Sequence, residues 1–134
     1  MKTYREMIVW QKSVDLVTMI YFKTRSFPNE ELYGLTNQIR RAAISIPSNI
    51  AEGFGRNSKN DFKRFLQIAM GSIFELQTQL EIAKNLQFLS DDNYKKVFDA
   101  TREIEAMLTS LIRKLRLSSQ ILRNSATLKK SQIL

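Results

Sequence analysis

The sequence predicts an all-α protein: an up-down-up-down four-helix bundle over residues 1–118, followed by a basic, frayed tail over 119–134. Three observations point there. Four long segments repeat apolar residues at steps of three and four, turn signals fall between them, and no run of alternating apolar and polar residues competes as a strand. A chain of 134 residues suits one domain, and a 43% hydrophobic content is enough for a modest core.

Each segment has its own signals. In the first, Trp10, Val14, Val17 and Tyr21 recur at steps of 4, 3 and 4, predicting a helix from about Arg5 to Arg25 with these residues inward. Ser26-Phe27-Pro28-Asn29 ends it. In the second, Leu35, Ile39, Ala42, Ile46, Ile50 and Gly53 make the inward stripe of a helix running from near Glu30 to Gly53, where glycine can take the left-handed conformation that closes a helix. Ser58, with Asp61 three residues on, reads as the N-cap of a third helix. Its stripe of Phe62, Leu66, Ala69, Ile73, Leu76, Leu80 and Ala83 is an unbroken heptad pattern. Ser90-Asp91-Asp92 caps a fourth helix, in which Val97, Thr101, Ile104, Leu108, Leu111 and Leu115 repeat the spacing. Past Ser118 the pattern loosens. Short connections favour antiparallel neighbours with crossing angles of roughly 20°.

Absent residue types exclude much chemistry. There is no cysteine, so disulfides and thiolate metal sites are ruled out. There is no histidine either, which removes imidazole-based triads, histidine-ligated zinc and the Glu-x-x-His di-iron site of helical bundles. A histidine-dependent RNase of the helical nucleotide-binding type is excluded on the same ground, since its Arg-x4-6-His motif cannot be built. No catalytic residue, cofactor or metal is expected, and the reading is non-enzymatic. No apolar run is long enough for a signal peptide or a membrane span, which makes a cytoplasmic protein the expectation.

Charge is placed unevenly. Residues 1–105 carry 15 Lys/Arg against 13 Asp/Glu, whereas 106–134 carry Arg113, Lys114, Arg116, Arg123, Lys129 and Lys130 with no acid. That asymmetry points to a polyanionic partner or to a solvated basic tail. A second group, Arg56, Lys59, Lys63 and Arg64, surrounds the start of the third helix, where free amides and the dipole favour an anion; solvated turn residues are the alternative. Gly53-Phe54-Gly55-Arg56 is not a dinucleotide fingerprint, because a helix precedes it where that motif needs a strand. Candidate nucleic-acid contacts are therefore Arg40, Arg56, Lys59, Lys63, Arg64, Arg113, Lys114 and Arg116.

The segment from Gln38 to Arg56 joins an arginine pair, small residues, an internal proline and a polar stripe in one helical repeat. Pro47 lacks the amide that would bond to the Ala43 carbonyl, so a bend is expected, with Ser45, Ser48 and Asn49 able to satisfy freed backbone groups. The segment serves either a kinked bundle helix or a ligand. Arg41, Ser45, Ser48 and Glu52 share a polar stripe, and Arg41 could pair with Glu52 or Glu75, leaving Arg40 towards solvent. Arg41, Ser45, Pro47, Asn49, Glu52 and Gly53 are the candidate structural motif. On the third helix, Phe65, Ile68, Met70 and Phe74 widen the apolar arc beyond what one bundle core can bury, which predicts self-association or another protein partner. Trp10, Tyr21, Phe22 and Phe54 are candidates to extend that surface.

Taken with Val9-Trp10-Gln11-Lys12, Phe27–Thr36 and Phe65–Leu76, the Gln38–Arg56 segment resembles the four-helix-bundle proteins named after the 23S rRNA intervening sequence, from about Tyr4 to Leu89. The resemblance implies the same bundle and a ring-like homo-oligomer, typically a pentamer. Related accessory bundles of diversity-generating retroelements imply a second role, as a scaffold for a protein such as a reverse transcriptase. The leading expectation is a homo-oligomeric module that binds structured RNA or another nucleic acid through phosphate contacts.

Overall fold

The computed structural model describes residues 1–133. It contains four α-helices: α1 (Ile8–Thr24), α2 (Leu35–Phe54), α3 (Lys59–Asn85) and α4 (Asp91–Ile133). One-turn 3-10 helices at Tyr4–Glu6 and Asn29–Glu31 precede α1 and α2, and there is no strand among the described residues. The packed neighbours are α1–α2, α2–α3, α3–α4 and α1–α4, so consecutive antiparallel helices form a closed four-helix bundle.

Leu16, Ile20, Ile39, Ile46, Ile50, Leu66, Ile73, Leu76, Leu80, Ile104 and Leu108 are fully buried on its axis. Each such side chain contributes about 1.5–3 kcal/mol relative to exposure, which is the main favourable term in the fold. Surface ion pairs such as Lys12–Glu103 at 2.7 Å, between α1 and α4, add at most about 1 kcal/mol each.

The inward face of α1 differs from the one the spacing suggests. Its buried residues are Val9, Ser13, Leu16, Ile20 and Thr24, while Val14 and Tyr21 are exposed and Trp10 and Val17 lie at the edge. The register was hidden by two hydroxyls that satisfy themselves on their own helix. Ser13 Oγ donates to the Val9 carbonyl at 2.6 Å and Thr24 Oγ1 to that of Ile20 at 2.8 Å, so both polar residues can be buried.

The boundaries of α2 also shift. Gly34, at φ −109° and ψ −116°, breaks the chain between the 3-10 turn and the helix, and Glu31 Oε2 accepts the Leu35 amide at 3.1 Å. A Cβ at Gly34 would lie 2.8 Å from that carboxylate oxygen. At the other end the helix continues through Gly53 to Phe54, with Gly55 as an αR C-cap, and no glycine has positive φ. Gly53 is instead a close-approach residue: a Cβ there would meet Phe65 Cβ at 2.6 Å and the Phe62 carbonyl oxygen at 3.3 Å. The left-handed closure occurs on α3, at Gln87 with φ 63°. There the Phe88 amide donates to the Ala83 carbonyl and the Gln87 amide to that of Lys84, both at 2.9 Å, which is a Schellman arrangement.

The N-caps of α3 and α4 are as the sequence predicts. Ser58 Oγ accepts the Asp61 amide at 3.1 Å, and Ser90 Oγ the Asn93 amide at 3.1 Å. Beyond Ser118, however, α4 does not loosen but stays helical to Ile133. No glycine or proline interrupts this stretch, and its Leu, Arg, Lys, Gln and Ala favour helix. What ends near Ser118 is packing: residues 120–130 are all exposed. Forty-three residues span about 64 Å, so α4 far outreaches the others.

Candidate nucleic-acid interface

The candidate residues gather on the α3–α4 side, where the start of α3 meets the basic part of α4. Lys59 Nζ donates to Ser118 Oγ at 2.7 Å, tying the two helices together. Beside this contact, Ser58, Lys59, Asn60 and Lys63 face Ser119, Leu122 and Arg123 across a hollow of about 350 Å³. One to two helical turns towards the middle of the bundle, a second hollow of about 390 Å³ has Arg113 and Arg116 on its α4 wall and Gln67, Met70, Gly71 and Phe74 on α3. The two follow the same side of both helices, since Lys63, Gln67 and Phe74 on α3, and Arg116 and Arg123 on α4, recur at helical spacing. Together they form one furrow with cations along it and no carboxylate in its lining. Arg113, Arg116 and Arg123 have no ion-pair partner among the described residues.

The eight candidate contacts therefore separate. Lys59, Lys63, Arg113 and Arg116 converge on the furrow. Lys114 points to another side of α4, lining hollows with Met1 and Ile8 and with Lys59, Leu117 and Ile121. Arg56 and Arg64 both lie over the Phe65 ring at 4.8 Å, and Arg56 pairs with Glu52 at 2.9 Å. They cover the junction of α2 and α3. Arg40 is half-buried rather than solvent-facing: its Nε donates to Thr24 Oγ1 at 3.0 Å and its guanidinium stacks on Tyr21 at 4.6 Å. Arg41 is the exposed one of the pair and binds neither Glu52 nor Glu75. The turn of the helix exchanges the roles expected of the two arginines.

The remaining motif residues serve helix packing. Pro47 is buried inside a continuous α2, and Asn49 Nδ2 donates to the Ser45 carbonyl and hydroxyl at 2.7 and 2.9 Å. Ser72 Oγ on α3 donates to Ser45 Oγ at 2.8 Å. With Ala42, Ala43 and Gly53 buried on the same helix, these small residues let α2 and α3 approach closely. Among the described residues no group of three or more acidic side chains is placed to hold a metal ion.

The apolar residues suspected of facing a partner also divide. Phe65 is buried, Phe54 packs edge-on to Phe62, and Trp10 packs edge-on to Tyr4. Tyr21 and Phe22 are exposed but lie under Arg40 and Arg25. Ile68, Ile82 and Leu86 remain exposed along one side of α3, and Phe74, on another side of the helix, is exposed in the furrow.

The described residues form an all-α four-helix bundle with a cation-lined furrow between α3 and α4. The chain belongs to the 23S rRNA-intervening sequence protein family, whose model matches residues 5–110. Its structure is similar to that of a protein of unknown function from the S23 ribosomal protein family of Bacteroides thetaiotaomicron. The two are 27% identical with a TM-score of 0.74, and the likeness covers 78% of this chain and 98% of that one. No curated protein matches the chain. Residues 111–133, with Arg113, Arg116 and Arg123, lie outside the family match. Among the described residues no helix is long and apolar enough to cross a membrane.

Proposed function

We propose that the protein is a non-enzymatic, cytoplasmic homo-oligomeric module that binds nucleic acid, structured RNA foremost, along the α3–α4 furrow. The observation that carries this reading is the convergence of Lys59, Lys63, Arg113, Arg116 and Arg123, with no carboxylate among the lining residues. A polyanion gains from each cation there, and the N-terminal amides of a 27-residue helix add to the field. The exposed Ile68, Ile82 and Leu86 on α3 support self-association, and a pentamer is the state proposed. Around a ring, weak phosphate contacts gain avidity.

The test pairs mass with binding. Light scattering should give five times the 15.6 kDa chain mass, and a fluorescent RNA hairpin should bind the wild type. A variant with Lys59, Lys63 and Arg123 all changed to Ala should keep that mass and bind about tenfold or more weakly. A single-chain mass rejects the assembly, and equal affinity in the variant rejects the furrow.

A further inference from the structure

The inner half of the furrow is chemically unlike the outer half. Its floor is apolar, made by Met70, Phe74 and the almost fully buried Ile112, and Phe74 is 50% exposed there. Gly71 lies in the same floor, and a Cβ built on it meets nothing within 4 Å. A glycine inside a long helix costs about 1 kcal/mol relative to alanine. No described residue fills the space it leaves. Gln67, exposed and without a hydrogen-bond partner among the described residues, and Thr109 supply polar groups, while Arg113 and Arg116 stand beside them with no carboxylate partner among the described residues. The volume of about 390 Å³ lies in the range of small-ligand sites, roughly 300–1,000 Å³.

We infer that this inner hollow takes an unpaired nucleobase of a single-stranded RNA segment, stacked against Phe74 over Met70 and Gly71, with the adjoining phosphates on Arg113 and Arg116. An aromatic face flanked by cations is what single-strand sites combine: the ring stacks any base, and the arginines hold the backbone. Gln67 and Thr109 are placed to meet the base edge. A duplex cannot offer its stacked bases to such a floor and is left with the phosphate contacts alone. The inference deepens the nucleic-acid reading and rests on it. The competing occupant is a second copy of the chain, whose 91% exposed Tyr33 and neighbouring Glu30 and Leu32 form an acidic, apolar loop tip.

The experiment compares fluorescein-labelled oligoadenylate with a blunt RNA duplex of matched length by anisotropy, using wild type, Phe74→Ala and Gly71→Leu. Phe74 is half exposed and Gly71 faces open space, so both variants should fold, which circular dichroism checks. Each should weaken single-strand binding roughly fivefold or more while leaving duplex affinity unchanged, as expected for loss of one base stack. Wild-type single-strand affinity in both variants overturns the inference, as does a parallel loss for single strand and duplex. A lowered scattering mass with single-strand binding intact gives the hollow to a second copy and also overturns it. If the wild type binds neither RNA, the nucleic-acid reading itself fails, a result distinct from binding that ignores Phe74.

Discussion

Arg40 and Arg41 show how far one residue moves a function. They are adjacent in sequence but 100° apart on α2, so one is held against Thr24 and Tyr21 and the other is left in solvent. Spacing alone could not decide which, because the α1 side chains that receive Arg40 lie on a face whose register was masked by self-satisfied Ser13 and Thr24. Tyr94 offers a test at the same scale. Its hydroxyl donates to Glu81 on α3, and its pKa is raised to about 12, chiefly by burial and then by the hydrogen bond to Glu81 and that group's charge. The folded state thus favours the protonated phenol. Its contribution to stability is fully present below the unfolded value of about 10 and is lost as pH rises towards 12. Denaturation midpoints of wild type and Tyr94→Phe should therefore converge between those two pH values. A constant difference across that window would show that the phenol proton is not what links the helices.

Among the elements, α3 was the most legible and α4 the least. The heptad stripe of α3 and its Ser58 cap are local signals that tertiary packing did not override, and six of the seven stripe residues are buried. On α4, loss of apolar periodicity past Ser118 marks the end of packing and not of the helix, since neither glycine nor proline follows. Gly53 reads locally as a helix closure, but its actual constraint, the Phe65 Cβ and the Phe62 carbonyl beside it, belongs to another helix and leaves no local trace. Two glycines give opposite predictions from this geometry. Gly53→Ala should lower stability by about 2–3 kcal/mol, since neither Phe65 Cβ nor the Phe62 carbonyl can move aside cheaply. Gly71→Ala should raise it by up to about 1 kcal/mol through helix propensity alone. Urea titrations that gave both substitutions the same sign would contradict the packing described for α2 and α3.

At the scale of the molecule, the basic residues legible as two sequence groups become one feature only because an antiparallel bundle lays residues 59–63 beside 118–123. In the sequence Arg123 is one cation of a basic C-terminal stretch, and in the fold it faces Lys63. Arg56 and Arg64, prominent in sequence, are instead engaged over Phe65. No single-residue signal could have sorted them, since all are cations near a helix start. The family match supports the bundle and ends at residue 110, short of Arg113, Arg116 and Arg123 on the furrow's α4 wall. The most direct test of the account is the salt dependence of RNA affinity, measured by anisotropy from about 50 to 200 mM monovalent salt. The wild type should lose affinity steeply, and the Lys63→Ala, Arg116→Ala, Arg123→Ala triple variant should show a log–log slope shallower by about 2, the loss of roughly three phosphate contacts. No binding at about 50 mM salt, or an unchanged slope in the triple variant, would contradict the assignment of the furrow to nucleic acid.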